Sequence, residues 1–204
     1  MSGLSDHPPR ITSVKLVVAG GFGVGKTTFV GAISEIPPLT TEAEMTSESV
    51  GIDDASYVER KTTTTVAMDF GRITVDESLV MYLFGTPGQD RFGFMWDDLC
   101  EGALGALVLA DTRRLTDCFT AIDYFERRHT PFVVGVNHFD GTYRYPLAEV
   151  RDALGISPGV PVVDCDARVR ESAKVLLLTL LQHVYERIQH GARTPVAGVS
   201  APGR

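Results

Sequence analysis

Gly20-Gly21-Phe22-Gly23-Val24-Gly25-Lys26-Thr27 is a complete G-x-x-x-x-G-K-[ST] stretch, and its neighbours on both sides fix how it is read. Ahead of it, Val14-Lys15-Leu16-Val17-Val18-Ala19 reads as a short buried strand; behind it, Thr27 to Ser34 reads as the opening of a helix. Strand, glycine loop and helix curl successive backbone N–H groups around an anion, and the helix N-terminus adds partial positive charge. The stretch predicts a phosphate cradle formed by Gly21, Phe22, Gly23, Val24, Gly25, Lys26, Thr27 and Thr28. Lys26 is expected to reach the β- and γ-phosphates, and the Thr27 hydroxyl to take a place on Mg²⁺.

The rest of the composition narrows the setting. A chain of 204 residues fits one domain with a self-sufficient core. Its net charge of -7 argues against a general binder of nucleic acid or anionic membranes. Cys100, Cys118 and Cys165 lie far apart, form no metal spacing and fit a reducing cytosol. The longest apolar segment, near Val175–Leu181, is too short to span a bilayer, and Met1–Arg10 has no apolar stretch. The expectation is therefore a cytoplasmic protein without direct membrane insertion, recruited to a membrane only through partners.

Further along, Pro37 to Lys61 is polar, proline-marked and without a clear period, as in a functional or mobile connection. Thr62–Val75 and Leu79–Phe84 flank the turn residues Asp76-Glu77 and read as a hairpin. Leu104–Ala110 and Phe132–Val136 are continuous apolar runs of strand length, as in a parallel sheet covered on both faces. Leu115–Arg128 carries a helical pattern, Val160–Val163 a short last strand. Glu171–Gln189 reads as a closing helix with Val175, Leu177, Leu178, Leu180, Leu181, Val184 and Ile188 turned to the core. The sum predicts an α/β three-layer sandwich with a P-loop NTPase fold. Its sheet is expected to be mostly parallel and six-stranded, with one antiparallel strand. The folded domain is expected over residues 11–190, between disordered tails at 1–10 and 191–204.

Two more segments end predicted strands, where open α/β sheets bind ligands. In Gly85-Thr86-Pro87-Gly88-Gln89-Asp90-Arg91-Phe92, a glycine N–H at Gly88 can bond a γ-phosphate and Gln89 can orient an attacking water. In Val136-Asn137-His138-Phe139-Asp140, the aspartate can accept from both N1–H and the exocyclic amine of guanine, which adenine does not supply. Phe94 and Trp96 follow as either core or partner-facing residues.

Together with the first loop, these segments resemble the small Ras-like GTPases over roughly residues 13–190. Within them the chain looks most like the bacterial MglA-type group and the GTP-binding proteins of actinobacterial conservon operons. The resemblance implies GTP/GDP and Mg²⁺ as ligands. It implies that Thr65 is the switch I threonine on the metal, since Thr65-Val66-Ala67-Met68-Asp69-Phe70 resembles Thr-Ile-Gly-Val-Asp-Phe; Thr64 competes for that role. Gln89 takes the water-orienting role, Asn137, His138 and Asp140 the Asn-Lys-x-Asp base motif, and Asp166-Ala167-Arg168 the Ser-Ala-Lys loop. Kinship implies a roadblock-fold partner and a sensor-kinase-like one.

Two positions depart from the family pattern. Gly85 stands where the family has the aspartate that holds Mg²⁺ through water, which predicts weak metal binding and slow hydrolysis. If another acid substitutes, Asp53, Asp54 and Asp69 are the candidates. His138 replaces a lysine whose stem packs on the base; an imidazole can stack instead. No arginine is evidently built in for catalysis, with Arg60 only nearby. The expected activity is a switch hydrolysing GTP slowly. A non-hydrolysing nucleotide-dependent scaffold is the alternative; a P-loop ATPase or kinase is disfavoured by Asp140 following Asn137.

Overall fold

The computed structural model describes residues 11–37, 39–46, 63–88 and 95–193. Strand β1 (Thr12–Ala19) leads through the glycine loop into helix α1 (Lys26–Ile33). An edge strand β2 (Leu39–Thr46) precedes the hairpin of β3 (Thr63–Thr74) and β4 (Leu79–Gly85). Then follow α2 (Trp96–Cys100), β5 (Ala103–Ala110), a 3₁₀ turn at Leu115–Cys118 and α3 (Phe119–Arg127). The chain continues with β6 (Phe132–Asn137), α4 (Leu147–Leu154), β7 (Val162–Cys165) and α5 (Arg170–Arg193).

The strands lie in the order β2-β3-β4-β1-β5-β6-β7. β3 runs antiparallel to both its neighbours and every other pair is parallel. The expected mostly parallel sheet with one antiparallel strand is present, and β2 extends its edge to seven strands. Inside the stretch read as aperiodic, Leu39, Thr41, Ala43 and Met45 alternate with Thr40, Glu42, Glu44 and Thr46, the period of a strand. Residues 47–61 of that stretch lie outside the described residues.

Strand pleating splits the core into two layers. Leu16 and Val18 of β1 face α1 and α5, packing with Phe29, Val30, Leu176 and Leu180. Val17 and Ala19 face α3 and α4, packing with Ile122, Phe125, Val150 and Leu154. Gly135 lets α5 lie close on the sheet, for a Cβ there would sit 2.4 Å from a Leu176 methyl. Trp96 is buried against Tyr124 and Phe125, which makes it core; Phe94 lies outside the described residues.

The structure departs from the sequence expectation in the last strand and in two helices. The last strand begins at Val162 rather than Val160, because the Val160 N–H closes a turn onto Ser157 O and Pro161 has no N–H. Helix α4 lies in a stretch for which the sequence pattern predicts no element, although Pro146 before it and left-handed Gly155 after it bracket it. On α5, Leu177, Leu180 and Val184 are buried and Leu181 partly so. Val175, Leu178 and Ile188 are 53%, 62% and 58% exposed, so this part of the expected core face is turned outward. The helix also runs to Arg193; 1–10 and 194–204 lie outside the described residues. Among those described, no helix is long and apolar enough to cross a membrane.

Candidate functional site

The C-terminal ends of β1, β4, β6 and β7 converge on two adjoining cavities that share Gly23, Gly25 and Thr28. The first, about 370 Å³, is lined by the glycine loop, Lys26, Thr27, Asp69, Thr86 and Gly88. The second, about 210 Å³, is lined by Asn137, His138, Phe139, Asp140, Ala167 and Arg168. The loop is shaped by left-handed glycines; Gly25, at φ 104°, is the residue from which α1 starts. A Cβ on Gly25 would also meet Asn137 Nδ2 at 2.8 Å, so a glycine is required twice over.

Lys26 is buried, and its Nζ donates to Gly20 O and Gly21 O, each at 2.8 Å. Burial pushes its pKa down to about 8, partly opposed by the charge of Asp69. Thr27 Oγ1 donates to Asp69 Oδ2 at 2.8 Å. Asp69 on β3 lies beside Gly85 on β4, where a Cβ would come within 3.0 Å of both Asp69 Cβ and Oδ2. The space a side chain at Gly85 would take is filled by the Asp69 carboxylate. This is one of the three acids named from sequence; Asp53 and Asp54 lie outside the described residues.

Among the described residues Thr86 Oγ1 is buried without a hydrogen-bond partner at the wall of this cavity, a polar atom that a ligand oxygen would satisfy. Gly88 presses on the loop so closely that a Cβ would sit 2.7 Å from Lys26 Nζ and 2.8 Å from Phe22 Cα. Arg114, which the sequence reading did not single out, donates from Nη2 to Phe22 O at 2.7 Å and so steadies the loop tip. Gln89 lies outside the described residues; the backbone of Thr65 lies in β3, and its side chain is not described.

In the second cavity, buried Asn137 joins the two halves. Its Nδ2 donates to Val24 O at 2.8 Å, and its Oδ1 accepts from Ala167 N at 2.9 Å. His138 Nε2 lies 2.8 Å from Asp164 Oδ1, and Arg113 stacks over the Phe139 ring at 3.7 Å, pinning the loop. The Arg113 guanidinium is itself held by Asp111. Asp140 is 85% exposed at the cavity mouth, where Arg168 donates to both of its oxygens. That contact holds the Asp140 carboxyl below its ordinary range, and Asp166 is pulled down to about 2 mainly by Arg168. Burial pushes the Cys165 thiol beside this loop up to about 11 and Cys118 to about 12, which suits inert core thiols. Among the described residues, no cluster of three His, Cys, Asp or Glu forms a separate metal site.

The model of a family described as conserved hypothetical ATP binding protein matches residues 18–187. An uncharacterized protein of Methanocaldococcus jannaschii is 32% identical over 129 residues, 62% of this chain and 71% of its own length. Ras-related protein SEC4 of Saccharomyces cerevisiae is 25% identical over 134 residues, 61% of this chain and 62% of SEC4. Among solved structures, the FeoB G-domain from Methanococcus jannaschii superposes with a TM-score of 0.56 at 16% identity, covering 86% of this chain and 99% of that one. The cytosolic domain of the T. maritima FeoB iron transporter in a GDP form gives 0.59 at 17% identity, covering 85% and 64%. Likeness at this identity bears on the fold, which is that of G domains and P-loop NTPases.

Proposed function

The chain belongs to the family described as conserved hypothetical ATP binding protein, and we propose that this member is a guanine-nucleotide switch that hydrolyses GTP slowly. The observation that carries the reading is the Asn137 bridge. It fixes the Asp140 loop and Ala167 against the phosphate loop, so a polyphosphate in the first cavity places its base in the second. There Asp140 accepts from N1–H and the exocyclic amine of guanine, while the Ala167 N–H, which donates to Asn137 Oδ1, would have to leave it to meet the carbonyl. Adenine has no N1–H and no amine on C2, and beside its C6 amine N1 is an acceptor, so the base preference is read from Asp140 rather than from the family description. The GDP form of the FeoB neighbour and the kinship with a Ras-related protein support the same choice.

The residues present fit Mg²⁺: a hydroxyl and a carboxylate, both hard oxygen donors, meet beside the lysine at the phosphate cavity. Thr27 would hold the ion directly, Asp69 through Thr27 or water, and Thr65 in the GTP state. Bound there, the metal would neutralise charge on the β- and γ-phosphate oxygens. Lys26 spreads positive charge over the same oxygens, the loop amides orient them, and Gln89 positions the attacking water. Hydrolysis by such a site rests on positioning and charge stabilisation rather than on a covalent step. Among the described residues no arginine lines the phosphate cavity, which supports a slow rate and a stimulating partner.

Kinship with the MglA-type and conservon proteins rests on Gly85 in place of the usual aspartate and on the motif order. A roadblock-fold partner, a sensor-kinase-like partner, recruitment to a membrane and a signalling role follow from that kinship alone. The test of the central reading is calorimetry with GDP, GTP, ADP and ATP, followed by single-turnover phosphate release. Guanine selectivity with slow release is expected. Equal affinity for ADP would overturn the guanine assignment, and no release with or without partners would leave the scaffold alternative.

A further inference from the structure

We propose that Arg168 is a built-in competitor of guanine for Asp140, holding nucleotide affinity below what the site would otherwise reach. The inference rests on the guanine reading above. Arg168 is gripped on one edge by Asp166: Nε donates to Oδ1 and Nη2 to Oδ2, each at 2.9 Å. The Arg168 backbone N–H donates to the same Oδ1 at 3.0 Å, so one carboxylate orients both main chain and side chain. The free edge then faces Asp140, with Nη1 to Oδ2 at 2.7 Å and Nη2 to Oδ1 at 3.0 Å.

That edge is an N–C–N unit presenting two parallel N–H donors. Guanine presents the same unit to a carboxylate through N1, C2 and the exocyclic amine. A carboxylate offers one such in-plane face in this cavity, so the two partners exclude each other. The guanidinium has charge in its favour, whereas the base arrives neutral but covalently tied to phosphates held by Lys26. Arg168 and Asp140 are 52% and 85% exposed, so their pairing is screened by water and yields to a bound nucleotide. A serine in place of Asp166, as in the loop this segment resembles, would leave the guanidinium ungripped. The contest therefore belongs to the Asp166–Arg168 pairing of this chain.

GDP titrations of the full chain in Mg²⁺ buffer test this with wild type, Arg168→Ala, Asp140→Asn and the double variant, thermal unfolding checking that each is folded. Arg168→Ala is expected to tighten GDP binding by about two- to fivefold, the strength of an exposed bidentate pair. The same change should do nothing in the Asp140→Asn background. Unchanged or weaker binding in Arg168→Ala, with Asp140→Asn still costing affinity, would overturn the competitor and leave the guanine reading standing. Equal tightening in both backgrounds would overturn it too, since the effect would not pass through Asp140. If Asp140→Asn leaves GDP affinity untouched, the base assignment itself falls.

Discussion

Thr27 Oγ1 donates to Asp69 Oδ2 at 2.8 Å, joining the first turn of α1 to a strand 42 residues away and placing a carboxylate beside the phosphate cavity. Weak metal binding was expected because Gly85 has no side chain; Asp69 brings an acid to the same spot from the neighbouring strand. Asp69→Asn is therefore expected to lower the Mg²⁺ affinity of the GDP complex about 10- to 100-fold, the usual cost of losing a group that orients a metal ligand. Metal titration of the complex measures it. A variant that binds Mg²⁺ as well as wild type would remove Asp69 from the site.

Asp140→Asn is expected to weaken GDP binding by about 2 kcal/mol or more, because a charge-assisted two-donor contact is lost. The same change should raise relative affinity for xanthine nucleotides, whose C2 carbonyl then meets an amide donor. Calorimetry with GDP and XDP reads both effects, and an unchanged ratio between them would refute the contact.

How much of this was legible follows from which interactions are local. The phosphate loop is legible because strand, glycines and helix are contiguous. Asn137 and Asp140 are legible because they follow one strand end. Asp69 facing Gly85 depends on hairpin register: Phe70 pairs with Phe84, and one residue further along both strands brings Asp69 opposite Gly85. That register could have been counted from the Asp76-Glu77 turn, but only once β3 and β4 were known to pair without a bulge. The Arg168 grip on Asp140 spans 28 residues between separate loops, and no periodicity reports it. The outward Val175 and Leu178 were missed because a helix apolar on two adjacent stripes does not reveal which one meets the sheet.

Lys26 should make GDP binding take up a proton at alkaline pH. Burial lowers the pKa of the free site to about 8, and phosphate oxygens beside the ammonium would raise it again. Below pH 8 the lysine is charged both free and bound, so affinity is flat through this group. Above it the free form is neutral and must be protonated on binding. Affinity then falls, by up to about tenfold per pH unit. Calorimetry at pH 9 in two buffers of different ionisation enthalpy detects the proton; identical heats would contradict the prediction.

Asn137→Ala removes a donor to Val24 O and an acceptor from Ala167 N in a buried position. Two backbone groups lose their partners at once, at an expected cost of about 2–4 kcal/mol in urea unfolding. Because the bridge also sets the distance between the two cavities, GDP affinity should fall while inorganic triphosphate, which needs only the first cavity, loses little. Equal losses for both ligands would mean the bridge supports the fold alone.

Gly85→Asp is expected to fail where Gly85→Asp with Asp69→Ala succeeds. Gly85 is not among the residues at positive φ, so its backbone admits a side chain, and the obstacle is Asp69. A Cβ at position 85 would stand 3.0 Å from both Asp69 Cβ and Asp69 Oδ2, and the new carboxylate would share one space with the old. Crowding of this kind in a packed position costs roughly 1–3 kcal/mol, and like charges add to it. The single variant should therefore unfold earlier. Asp69→Ala removes the Oδ2 contact and leaves only a Cβ at 3.0 Å, which a small shift relieves, so the new carboxylate has space on β4 where Gly85 stands. Mg²⁺ affinity of the GDP complex should be lost in Asp69→Ala and regained in the double variant. Metal titration of all four proteins decides the matter: a double variant no better than Asp69→Ala would show that the carboxylate works from β3 alone.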